Sequence, residues 1–110
     1  MIDKIKQIAG DAPVICMGDF NANPSEEGVY QTMTSKLLDS RTIAQLKSEK
    51  SIGTFNGWNH LIPSLEENFR IDYIFTNIKQ MASYSIINDF YQPGAFPSDH
   101  FPVVVKLLLP

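Results

Sequence analysis

The chain has 110 residues, 44% of them hydrophobic and 19% charged, which is the balance of one globular domain and excludes wholesale disorder. Its formal charge of -3 excludes a broad basic face that holds nucleic acid by phosphate neutralisation alone, though not an enzyme that meets phosphate through a metal ion. The lone cysteine, Cys16, permits no intrachain disulfide and fits no zinc spacing.

In chain order, the opening Met-Ile-Asp-Lys-Ile-Lys lacks the apolar stretch of a signal peptide, leaving cytoplasmic and secreted locations both open. Ile2, Ile5 and Ile8 recur at helical spacing before Gly10, so 1–9 reads as a short amphipathic helix. The unbroken apolar run over 13–18 suggests a strand covered on both faces, with Cys16 as inert packing. Asn23-Pro24-Ser25 is turn chemistry, and Ser25 is placed to cap a helix reaching Thr34, with Val29, Tyr30 and Met33 facing inward. A weaker helical stretch covers 40–46. Residues 48–68 read mainly as loop, with a short strand at Thr54-Phe55. Strands follow at 70–76, 84–87 and 101–109; Pro102, which lacks a donor, belongs at the start or edge of the last. No apolar run approaches the roughly 20 residues of a membrane span. The order of elements points to an α/β or α+β fold with a mixed sheet.

Polar residues interrupt these strands in three places. Asp19 and Asn21 stand two apart at a strand exit, so extended backbone would project both to one side. Together they offer an acceptor for a metal or a water proton and a donor for a phosphoryl oxygen, while an ordinary turn would use the same residues. Asp72 sits inside an apolar strand, either on an exposed face beside Arg70, its plausible partner, or in a working site. Asp99 and His100 adjoin one another before the last strand, so one can ligate a metal while the other addresses phosphate; a cap followed by a surface histidine is the simpler alternative. Carboxylates in the company of two histidines and one cysteine favour Mg²⁺ or Mn²⁺ over zinc.

Gly18-Asp19-Phe20-Asn21, Arg70-Ile71-Asp72-Tyr73-Ile74-Phe75 and Ser98-Asp99-His100-Phe101-Pro102-Val103 resemble, in order and spacing, the C-terminal half of the endonuclease/exonuclease/phosphatase family. Thr54-Phe55-Asn56-Gly57-Trp58 is similar to a Thr-Phe-x-Gly-aromatic stretch in one subgroup. The resemblance implies half of a two-layer β-sandwich flanked by helices, with a mixed, mainly antiparallel sheet. It implies a divalent-metal-dependent phosphoester hydrolase in which Asp19 orients or deprotonates water and Asn21 holds a phosphoryl oxygen. Asp99 would help bind the metal. His100, paired to Asp72, would contact the scissile phosphate, and Asn56 and Trp58 would line the substrate side. Substrates in the family span nucleic acids, nucleotides, inositol phosphates and lipid headgroups.

The resemblance also implies a site completed by an N-terminal half carrying an Asn, a metal-binding Glu and a second His. Glu26, Glu27, Glu49, Glu66 and Glu67 lie in helical or loop contexts that do not suit that Glu, and His60 has no counterpart. The 110-residue chain is therefore expected to be inactive alone. It is also expected to cover its open sheet face as a two-fold homodimer. A non-catalytic half-domain or interaction module is the alternative.

Overall fold

A computed structural model of the chain describes residues 1–47, 53–58, 69–89, 92 and 94–110. His60, Glu49, Glu66 and Glu67 lie outside the described residues, as do much of the expected 48–68 loop and Pro93. Among the described residues, three short helices, α1 (Ile2–Ala9), α2 (Val29–Thr34) and α3 (Ser40–Ile43), accompany β1 (Ile15–Asp19), β2 (Leu38–Asp39), β3 (Leu46–Lys47), β4 (Asp72–Thr76), β5 (Met81–Ile86) and β6 (Val103–Leu107). Two three-stranded sheets result, in the orders β1-β4-β2 and β3-β5-β6. All pairs are antiparallel except β3 with β5. This is a mixed α+β architecture of two mostly antiparallel sheets with few helices. Among the described residues no helix is long and apolar enough to cross a membrane.

Register decides which side chains meet. Asp19 pairs with Asp72, Met17 with Ile74 and Ile15 with Thr76, so these six share one face of the first sheet. The opposite face carries Cys16, Tyr73 and Phe75 and packs on Met33 and Leu37, with Ile2, Ile5, Phe20 and Tyr30 around them. Phe20 sets its ring edge-on to Tyr73 and Phe75, which half-buries the residue between Asp19 and Asn21 and holds the strand exit to the core. The second sheet has its own core of Ala44, Met81, Tyr84, Ile86 and Phe101.

Four expectations change. The strand over 13–18 is not covered on both faces: β1 is a sheet edge, and Ile15 and Met17 are 49% and 69% exposed. Ser25 does not cap a helix, because Asn23 Oδ1 accepts from the Ser25 and Glu26 amides and closes a turn instead. The helix then starts at Val29, behind Gly28 at φ 108, a conformation suited to glycine, and Val29 itself is exposed while Tyr30 and Met33 face inward as expected. The helix over 40–46 stops at Ile43, since Ala44 is extended and Leu46–Lys47 pairs parallel to β5.

The fourth change concerns Arg70. Its partner is Asp39, not Asp72: Nη2 donates to Oδ1 at 2.5 Å, with both side chains almost fully buried. Asp39 also accepts from the Tyr30 hydroxyl at 2.8 Å and the Arg41 amide at 3.1 Å. The guanidinium lies over the Tyr73 ring at 4.8 Å and the Tyr84 ring at 5.8 Å. Because Tyr73 belongs to one sheet and Tyr84 to the other, this buried pair ties the two sheets together.

Candidate active site

Asp19 ends β1 and Asp72 begins β4, and antiparallel pairing sets them directly opposite on one face. Like charges facing each other across strands repel. His100 relieves this: Nδ1 lies 2.8 Å from Asp72 Oδ2, and Nε2 lies 3.9 Å from Asp19 Oδ2. The hydrogen bond from Asp72 raises the imidazole's pKa above its ordinary value; desolvation opposes the rise, and the charges of Asp72, Asp19 and Asp99 add to it. The edge of the Phe55 ring meets the imidazole at a centroid distance of 5.2 Å and fixes its other side.

Three segments distant in sequence build this end of the molecule. Thr54 is fully buried; its amide donates to the Phe69 carbonyl, and its carbonyl accepts from the Phe101 amide at 2.7 Å. Phe55 forms an isolated antiparallel bridge with His100. Asn56 donates its amide to the Asp99 carbonyl at 2.8 Å and its Nδ2 to the Ser98 carbonyl at 3.0 Å. Its Oδ1 accepts from the Trp58 amide at 2.7 Å, which supports Trp58 in a left-handed conformation with the indole 60% exposed. The carboxamide of Asn56 is thus engaged at both ends, and Trp58 presents its side chain to solvent.

On the other flank the backbone leaves the extended form that the spacing of Asp19 and Asn21 suggests. Asn21 is left-handed at φ 53, and its amide donates back to Asp19 Oδ1 at 2.8 Å. Asparagine tolerates this geometry better than most residues. Asn21 is exposed, leaving its carboxamide to face solvent.

Asp19, Asp72 and His100 each offer a ligand atom, and these atoms lie within 4.8 Å of one another. Asp99 is half-buried next to His100 and is not part of that group. The donors at the rim are oxygens and one imidazole already engaged by Asp72, while Cys16 lies on the opposite face of the sheet. Such a set fits a hard divalent cation, and excludes a thiolate-bound one. A shallow groove of about 200 Å³, lined by Met17, Ile74, Phe101 and Val103, runs away from Asp72 between the sheets. Sequence reasoning found neither Thr54 nor Asp39 as supports of the site: Thr54 stands out only as the first residue of the Thr-Phe-Asn-Gly-Trp stretch, with no hint that its hydroxyl is buried, and an acid before a short helix carries no distinctive local signal.

The sequence profile of the Endonuclease/Exonuclease/phosphatase family matches residues 2–100. Among solved structures, an endonuclease/exonuclease/phosphatase family protein from Bacteroides thetaiotaomicron superposes with a TM-score of 0.83 at 31% identity, covering 99% of this chain and 42% of that one. A mannosyl-6-phosphatase from Bacteroides thetaiotaomicron VPI-5482 matches with a TM-score of 0.81 at 30% identity, covering 98% and 43%. A conserved protein of unknown function from Enterococcus faecalis V583 matches with a TM-score of 0.80 at 31% identity, covering 99% and 41%. The chain therefore spans well under half the length of these structures. No curated protein matches it significantly.

Proposed function

Because the chain belongs to the endonuclease/exonuclease/phosphatase family, we propose that residues 1–110 correspond to the C-terminal half of such a domain and carry the phosphate-facing part of a metal-dependent phosphoester hydrolase site. The observation that supports this most is His100 set between two opposed carboxylates, at 2.8 Å from Asp72 and 3.9 Å from Asp19. Asp72 holds the imidazole protonated and oriented, so that it can donate to a phosphoryl oxygen as negative charge builds there. Asp19 accepts a proton from the attacking water or orients it. Asn21, its carboxamide free of the Asp19 turn, donates to a second phosphoryl oxygen. Asp99, with the rim carboxylates, would hold Mg²⁺ or Mn²⁺; a bound cation supplies charge neutralisation and a more acidic water.

The substrate class is a phosphoester joined to a ring. The exposed indole of Trp58 offers a stacking face for a sugar or a base, with Asn56 holding the loop that presents it. The mannosyl-6-phosphatase among the similar structures makes a sugar phosphomonoester the first compound to test. The net charge of -3 disfavours a long duplex.

Hydrolysis of mannose 6-phosphate and of a generic diester in Mg²⁺ or Mn²⁺ tests this reading. The rate should be low for the chain alone and rise when the N-terminal half of a family member is added. Asp19→Ala and His100→Ala should each lower the restored rate by about 10²–10⁴-fold. A rate indifferent to both substitutions removes these residues from the chemistry. A second reading, a non-catalytic interaction module, predicts no restoration. We also propose that a second copy covers the open face of β1, where Ile15 and Met17 are exposed. A monodisperse monomer by light scattering at micromolar concentration would overturn the dimer.

A further inference from the structure

The buried hydroxyl of Thr54 is placed between the two segments that supply the Asp72–His100 pair. Its Oγ1 accepts from the Ile71 and Asp72 amides, each at 3.0 Å, and directs its proton toward the Phe69 carbonyl at 3.4 Å. A hydroxyl has two acceptor lone pairs and one donor, so this one is saturated. The same residue's carbonyl takes the Phe101 amide at 2.7 Å, next to His100. One side chain with no solvent exposure thus sets the backbone from which Asp72 projects, while its own backbone sets the strand entry from which His100 projects. The amides of Ile71 and Asp72 reach their acceptor here and not in the β1–β4 ladder.

We infer that Thr54 is a positioning residue, whose hydroxyl fixes Asp72 at hydrogen-bonding distance from His100. This rests on the reading of that pair as the working pair of the site. A methyl group in place of the hydroxyl leaves two half-buried N–H groups without their acceptor. The start of β4 must then shift to find partners, carrying the Asp72 carboxylate with it. Serine preserves the acceptor and should preserve the pair.

Nuclear magnetic resonance of the full chain tests this without turnover, so loss of the catalytic reading would not register in it. The wild type should show a downfield His100 Nδ1–H resonance and slow hydrogen exchange at the Ile71 and Asp72 amides. Thr54→Val should abolish the resonance and speed exchange at both amides at least tenfold, while Thr54→Ser keeps both features. If Thr54→Val does not fold, Thr54→Cys keeps the volume with a weaker acceptor, and the same two signals should weaken in it. Met33→Ala, which opens the other core, should lower stability and leave the resonance in place. A folded Thr54→Val or Thr54→Cys protein with an unchanged resonance and unchanged amide protection overturns the proposal, as does equal loss of the resonance in Met33→Ala.

Discussion

On one flank of the rim, Asp72 and His100 are held by Thr54 and Phe55, distant in sequence, and Arg70, two residues before Asp72, is tied to the distant Asp39. On the other flank, the Asp19–Asn21 turn is closed by a local hydrogen bond and tied to the core through Phe20 between them, on an edge strand with exposed Ile15 and Met17 behind it. The difference is one of cooperativity. A support made of buried long-range hydrogen bonds transmits any loss to the whole core, whereas a local turn on an edge transmits little. The rim therefore combines a stiff half, which sets the imidazole, with a half whose geometry is encoded in four consecutive residues.

Removing Asp39 should have the largest effect and reveal the contrast most plainly. Asp39→Ala takes a buried carboxylate from a buried guanidinium, and urea unfolding should register a loss of about 3–5 kcal/mol. The double change Asp39→Leu with Arg70→Met should cost far less, since no uncompensated charge remains. A small loss for Asp39→Ala alone would mean that the stiff flank is not stiffened by this pair. On the local flank, Asn21→Ala forces an ordinary residue into the left-handed region at φ 53. It should cost about 1 kcal/mol, and Asn21→Gly should be close to neutral. Equal losses for alanine and glycine would show that Asn21 is held by something other than its backbone conformation.

The smallest effect, and the sharpest discriminator between the flanks, is in pH. The bond to Asp72 raises His100 above the ordinary 6.5, so the folded chain holds this proton more tightly than the unfolded one. The stabilisation is complete below 6.5 and disappears as pH rises through the raised value. The urea midpoint should fall across that window in the wild type and stay flat there in His100→Gln. Titration followed at the His100 ring should move down strongly in Asp72→Asn and less in Asp19→Asn. Equal shifts would place the imidazole midway between the carboxylates and erase the asymmetry.

Much of the site is legible in the residue pattern alone, because its members break strand patterns: a carboxylate within Ile-Asp-Tyr-Ile-Phe, and an Asp-His step before an apolar run. The supports are not. Arg70 sits one side-chain alternation from Asp72 and reads naturally as its partner, yet Asp39 claims it from another strand. Ser25 has every local qualification of a helix cap, and Asn23 closes the turn first. The 13–18 run is apolar enough for a fully covered strand, but the core packs only on its Cys16 face and the face of Ile15 and Met17 is left open.

Taken alone, the order of residues determined the periodicities, the motifs and the chemistry on offer, since these depend on neighbours within a few positions. Only the tertiary structure decided that Asp19 faces Asp72, that His100 lies between them, and that Thr54 and Asp39 hold them there. Those outcomes depend on strand register and on which buried donors and acceptors find one another across the chain, a competition that no local segment can resolve by itself.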